Sequence, residues 1–200
     1  MIEQLLFKAG IAPVAGVDEA GRGACAGPLV IASVIFRDPF LPELAPVRDS
    51  KAIAENKRDA IFDLIYSIAE SISIVIVPAV QVDESGVHAA NLAGMRRAVQ
   101  GLSVEPAYVL TDGYAIAGLG LPNLAVWKGD QVVVSISAAS IIAKVTRDRI
   151  MRELDPKFPQ YGFAGHKGYL SAAHAKALNE YGPCIEHRTS FANVAALIHK

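Results

Sequence analysis

Long apolar runs, cysteine and an excess of either charge are all scarce in this chain of 200 residues. The longest uncharged stretch, Gly113 to Trp127, has 15 residues broken by Gly118, Gly120 and Pro122, short of the roughly 18 needed to span a bilayer. No membrane partner is therefore expected. Two cysteines, Cys25 and Cys184, are too few for a secreted disulfide scaffold. Near the N-terminus Glu3 precedes Leu5 and Leu6, which is neither the basic segment nor the apolar run of a signal peptide. The expected location is the reducing cytoplasm. Charged residues make up 20% of the chain and hydrophobic ones 52%, which excludes a disordered or fibrous polypeptide. A chain of this length buries about 70% of its unfolded surface, so a single domain over residues 1–200 is expected.

The net charge of −1 conceals an asymmetry: residues 1–127 carry 9 Lys/Arg against 14 Asp/Glu, whereas residues 128–200 carry 10 against 6. A basic face near an acidic cluster fits a metal-dependent enzyme acting on a polyanion. Uneven surface charge would give the same counts.

Residues 14–18 and 28–36 are apolar runs punctuated by Gly21, Gly23, Gly27 and Pro28, and read as two strands joined by a glycine-rich turn. The second is almost continuously apolar, as a strand covered on both faces would be. Arg37 to Ser50, with three prolines, reads as loop. Ile61, Leu64, Ile65 and Ile68 recur at helical spacing within a helix from Ala54 to about Glu70. A strand over Ile72–Val77, ended by Pro78, precedes a helix over His88–Gln100. Strands follow at Ala107–Leu110 and Leu124–Trp127, then a long helix between Val133 and Leu154, loops after Pro156, a helix over Ser171–Tyr181 and a short C-terminal helix. Two successive strands followed by alternation predict an α/β fold: a mixed sheet flanked by helices. Residues from about 155 to 200 form a helical and loop extension.

The densest chemistry is Gly16-Val17-Asp18-Glu19-Ala20-Gly21-Arg22-Gly23. In a regular strand Asp18 and Glu19 point to opposite faces, so both serve one site if the chain leaves strand geometry near Glu19. Paired carboxylates at a strand end are hard oxygen ligands suited to Mg²⁺ or Mn²⁺, although a charged turn uses the same residues. The turn lacks the Gly-Lys-Ser/Thr ending of a phosphate loop. Holding two divalent ions requires further carboxylates. Asp112, after the apolar Tyr108-Val109-Leu110, is one candidate. Asp130, in a loop before the long helix, and Asp148, between Arg147 and Arg149 within it, compete for a fourth place.

The long helix also carries Ser137, Ser140, Lys144 and Arg147 as one polar stripe, suited either to a phosphate track or to plain solvation. Lys51, Lys167 and Arg188 add basic groups in loops. No histidine is read as a metal ligand, because hard Mg²⁺ prefers oxygen. Cys25 reads as a small packed side chain rather than a nucleophile.

Gly16 to Val30 resembles the N-terminal signature of ribonuclease HII, the type 2 ribonucleases H. Asp49-Ser50-Lys51, Thr111-Asp112-Gly113, Lys128-Gly129-Asp130, Ser137 to Asp148, His166-Lys167-Gly168-Tyr169 and His187-Arg188-Thr189-Ser190-Phe191 resemble later blocks of that family in the same order. One departure is Ala24-Cys25, where many members carry Pro-Leu. The resemblance implies an RNase H-like fold and a monomeric endonuclease using two Mn²⁺ or Mg²⁺ ions held by Asp18, Glu19, Asp112 and Asp130. Its implied substrates are RNA–DNA hybrids and DNA duplexes containing ribonucleotides, cut on the 5′ side to leave 3′-hydroxyl and 5′-phosphate ends. In the family the Gly21-Arg22-Gly23 turn contacts the ribonucleotide, and the ring matching Tyr169 packs on its sugar. Alternatives are a DNA-resolving nuclease of the same fold and a non-catalytic nucleic-acid-binding module.

Overall fold

A computed structural model describes residues 2–52 and 55–198, with side chains for all of these except 48–52, 55 and 56. The two apolar runs flanking the glycine-rich turn become antiparallel strands β1 (Val14–Ala20) and β2 (Leu29–Ile35). β3 (Ser71–Val77) pairs antiparallel with β2, while β4 (Tyr108–Asp112) and β5 (Asn123–Val126) add in parallel on the far side of β1. The order β3-β2-β1-β4-β5 is the expected mixed sheet. Every residue of β2 is buried, because helices cover both faces of a strand whose side chains alternate between them.

One face is covered by α2 (Glu55–Ile68) and α6 (Val134–Leu154), where Val30, Ala32 and Val34 meet Ile61, Ile65, Ala138 and Ile142. On the other lie α3 (Ala79–Ser85) and α4 (Val87–Gln100), with Leu29, Ile31 and Ile35 against Met95 and Ala98. Burial of each large aliphatic side chain contributes about 1.5–3 kcal/mol, and β2 supplies such side chains to both layers. At Gly16 a β-carbon would strike the backbone of Ser135 and Ile136. Only glycine lets the start of α6 lie this close to β1.

Several elements depart from the expectation. Pro42–Ala52 forms a 3₁₀ helix containing Pro46 where a loop was expected; proline's fixed φ is compatible with that tighter winding. Pro78 ends β3 as expected, but an unexpected helix, α3, starts directly after it, and Gly86, at φ 79°, separates α3 from α4. An unanticipated N-terminal helix, α1 (Ile2–Lys8), buries Glu3. The Glu3 carboxylate accepts the Val134 and Ser135 amides at 3.1 and 3.3 Å, capping the first turn of α6, where the helix dipole favours negative charge.

Beyond α6, α7 (Phe163–His166), α8 (Ala172–Tyr181) and α9 (Ala192–Ile198) follow. Tyr161, Phe163 and Ala177 pack on Met151, Leu154 and Ala26, which brings this C-terminal segment to the glycine-rich turn. Among the described residues no helix is long and apolar enough to cross a membrane.

Candidate active site

β1 and β4 run parallel, with Val17 opposite Thr111 as the last ladder pair. The next residues, Asp18 and Asp112, therefore lie side by side just past that ladder at the carboxyl edge, Asp18 still paired with β2 and Asp112 with β5. β1 keeps strand geometry through Ala20, correcting the expected break near Glu19. Asp18 and Glu19 consequently flank the strand: Val17 belongs to the α4 layer and Ala20 to the α6 layer, so Glu19 turns toward Asn91 of α4 and Asp18 toward Ser140 of α6. The Asp112 charge still acts on both, because all three sit where the strands end.

Asp112 Oδ1 accepts the Gly129 amide at 2.8 Å. That bond docks α5 (Gly129–Val132) on the end of β4 and carries the buried Asp130 with it. Asp130 thus lies in the first turn of a short helix, not in the expected loop. Lys128, at φ 52°, makes the sharp entry from β5 into that turn.

Burial and then the neighbouring charges of Glu19 and Asp112 push the Asp18 carboxyl well above the usual carboxylate range. Burial also raises Glu19, against the easing effects of Asn91 and Arg22. Glu19 Oε2 is buried without a hydrogen-bond partner among the described residues. These all-oxygen donors, destabilised when ionised together, fit a hard divalent cation, although no three described His, Cys, Asp or Glu residues are closed around a metal position as they stand.

Beside the carboxylates opens a cavity of about 340 Å³ lined by Glu19, Gly21, Arg22, Gly23, Arg58, Ser140, Lys144 and Tyr169. Gly21, at φ 86°, lies so close to Arg147 that a β-carbon would collide with the guanidinium. The Arg22 guanidinium lies 4.5 Å from the centre of the Tyr114 ring, which holds it at the mouth. Three members of the expected substrate surface are internal. Ser137 is buried and its hydroxyl donates to the Asp130 carbonyl. Arg147 is 0% exposed and donates to the carbonyls of Pro28, Ala26 and Lys167 at 2.8, 3.0 and 2.8 Å. Arg188, also 0% exposed, donates to Gly27 and Arg22 carbonyls. The phosphate-track expectation is corrected for Ser137 and Arg147, and that of a basic contact group in a loop for Arg188: the segments around residues 20–28 and 128–133 close over both ends of the stripe, leaving Ser140 and Lys144 at the cavity. Lys167 is half-buried with its ammonium donating to the Ala164 carbonyl. Lys51 lies outside the residues whose side chains are described.

The sequence pattern described as Ribonuclease HII matches residues 15–194. The chain belongs to the ribonuclease HII family. It is 58% identical over 192 residues to a Ribonuclease HII of Acidothermus cellulolyticus, covering 96% of this chain and 62% of that one. With the Ribonuclease HII of Frankia alni it shares 56% identity over 97% of this chain and 81% of the other. The fold is similar to that of the ribonuclease H2 of Pyrococcus horikoshii, with a TM-score of 0.82, 27% identity and coverage of 94% and 98%.

In this ribonuclease HII chain Asp148 is engaged from its own helix and from α2: Lys144 Nζ donates to it at 2.6 Å and Arg58 approaches to 4.0 Å. Arg58 and Asn91 were missed from sequence. Each lies on a helix tens of residues from the acidic motif, and only the packing of α2 and α4 brings them to it.

Proposed function

We propose that this chain is a metal-dependent endonuclease that cleaves the RNA strand of RNA–DNA hybrids and incises duplex DNA 5′ of embedded ribonucleotides. The observation that carries the reading is the adjacency of the Asp18, Glu19 and Asp112 strand ends to a cavity walled by Gly21–Gly23 and Tyr169. The family's hydrolysis of RNA in RNA–DNA hybrids supports the broader half of it.

Asp18, Glu19, Asp112 and Asp130 are the residues that would hold two Mn²⁺ or Mg²⁺ ions, which when bound supply Lewis-acid stabilisation of charge on the scissile phosphodiester. The remaining roles belong to the protein. The backbone of Gly21-Arg22-Gly23 approaches the ribose, whose 2′-hydroxyl both donates and accepts and so separates RNA from DNA. Tyr169, 41% exposed, presents its ring to the sugar. Arg22, Arg58 and Lys144 give the cavity positive charge for flanking phosphates. Products carry 3′-hydroxyl and 5′-phosphate ends. Residues from about 155 to 200 contribute the Tyr169 side of the substrate surface within one domain, and the protein acts as a cytoplasmic monomer.

The test is cleavage of an end-labelled duplex with one ribonucleotide, with Mg²⁺, Mn²⁺ or chelator, beside an all-DNA duplex and a long RNA–DNA hybrid. The expected result is a metal-dependent cut 5′ of the ribonucleotide and none in all-DNA. Cleavage of the hybrid alone would remove the junction reading. Cutting of all-DNA would favour a DNA-resolving nuclease, and binding in chelator without turnover on any substrate would favour a binding module.

A further inference from the structure

Behind Tyr169 lies a group of histidines that the chemistry above does not use. His174 on α8 and His187 in the segment after it are buried, with their Nε2 atoms 3.0 Å apart. Each end of this pair meets a backbone group whose hydrogen-bonding role is fixed. His174 Nδ1 lies 3.0 Å from the Tyr169 carbonyl, which can only accept, so Nδ1 carries a proton. The Cys184 amide, which can only donate, points at His187 Nδ1 at 2.9 Å, so that nitrogen is unprotonated.

Two neutral rings satisfy these ends in one way: Cys184 N–H donates to His187 Nδ1, His187 Nε2–H to His174 Nε2, and His174 Nδ1–H to the Tyr169 carbonyl. A further proton would set two N–H groups against each other at the Nε2 contact. Burial holds both imidazoles below the ordinary histidine range, His187 at about 4. The titratable groups around the pair are His166, stacked on His174 with ring centres 4.2 Å apart, Tyr161 at the edge of His187, and the thiols of Cys25 and Cys184.

We propose that His174 and His187 are positioning residues for Tyr169, a proton-ordered pair that anchors the backbone of that residue and thereby its ring at the cavity. A second set of contacts fixes the neighbouring residue: the amides of Cys25 and Ala26 both donate to the Gly168 carbonyl, at 3.0 and 3.2 Å. Residues 168 and 169 are thus tied by carbonyl anchors to the glycine turn on one side and to α8 on the other. The ring is left exposed while its backbone is clamped, the arrangement expected of a contact that must be rigid before substrate arrives.

This inference rests on the reading that Tyr169 touches substrate, and the experiment separates the two. Steady-state kcat and KM on the single-ribonucleotide duplex are compared for wild type, Tyr169→Ala, His174→Phe, His174→Asn and the Tyr169→Ala/His174→Phe double variant. His174→Phe keeps the ring without its nitrogens, whereas His174→Asn restores an N–H near the Nδ1 position. The expected result is a rise in KM of about 10-fold for His174→Phe with kcat within about 3-fold, recovery in His174→Asn, and a double variant no worse than Tyr169→Ala alone. An unchanged KM in His174→Phe, or additive losses in the double variant, with Tyr169→Ala impaired, would overturn the positioning role. Normal KM in Tyr169→Ala would instead remove the substrate contact, and the positioning role with it. Imidazole ¹⁵N chemical shifts of the wild-type protein supply a measurement independent of variant folding. They are expected to show His174 protonated at Nδ1 and His187 at Nε2, and any other pair of tautomers rejects the proposal.

Discussion

Asp112 Oδ1 holds the amide of Gly129 at 2.8 Å, so the carboxylate at the end of β4 positions the short helix that carries Asp130. The bond crosses from the end of β4 to the start of α5 and makes the placement of Asp130 depend on Asp112.

The contest between Asp130 and Asp148 has a direct kinetic test. Asp148 is engaged with Lys144 and Arg58, whereas Asp130 rides on the segment docked at Asp112. Asp130→Asn is expected to reduce kcat on the single-ribonucleotide duplex by about 10²-fold or more, and Asp148→Asn by only a few-fold. Equal turnover of the two variants would reverse the assignment.

Removal of one buried carboxylate is expected to stabilise the protein while inactivating it. A folded pKa raised by burial and like charges costs stability above the unfolded value, once the group must ionise; Asp18 is such a group. In chelator near neutral pH, Asp18→Asn is expected to gain about 0.5–2 kcal/mol. Added Mg²⁺ or Mn²⁺ should raise the unfolding midpoint of wild type more than that of the variant. Thermal unfolding of both proteins with and without metal decides this, and a destabilised variant in chelator counts against the reading.

Arg147 and Lys144, one turn apart on α6, are expected to respond oppositely. Arg147→Met leaves the carbonyls of Pro28, Ala26 and Lys167 without their donors, for a loss of about 2–4 kcal/mol read from urea denaturation. Lys144→Gln keeps an amide donor for Asp148 in place of the ammonium, so it should cost less stability than Arg147→Met but lower the salt slope of duplex binding by about 1. A reduced salt slope with intact stability in Arg147→Met would return that residue to the phosphate track.

Acid sensitivity should trace to the histidine pair. His187 is neutral in the fold down to about 4 but takes a proton at its ordinary 6.5 when unfolded. Its contribution is therefore complete above pH 6.5 and is lost as pH falls toward 4, by on the order of 1–3 kcal/mol. Urea midpoints at pH 7, 5.5 and 4.5 should fall more steeply for wild type than for His187→Gln. Parallel curves would place the acid sensitivity elsewhere.

Much of this architecture was legible without coordinates. The almost continuously apolar run of Leu29–Ile35, broken only by Ser33, identified a strand buried on both faces, and the 3.6-residue spacing of Ile61, Leu64, Ile65 and Ile68 identified α2. Asp18 and Asp112 stood out as acids at the ends of apolar strands beside glycine. Less visible were α1 and α3: Ile2–Lys8 and Ala79–Ser85 are seven residues each, too short to establish a period. The break expected at Glu19 was misplaced because a strand's end exposes side chains from both of its faces, so strand geometry need not be lost there.

Local order in the chain thus determined the strands, the longer helices and the acidic motif, because backbone preference and apolar periodicity act over a few residues. Tertiary structure decided which polar groups are functional surface and which are internal braces. Arg147 and Arg188 carry the same charge as Lys144, yet they lie beneath segments from the other end of the chain, where their donors satisfy buried carbonyls. The His174–His187 pair is likewise invisible in sequence. Its proton order arises only where folding sets a backbone carbonyl at one end and a backbone amide at the other.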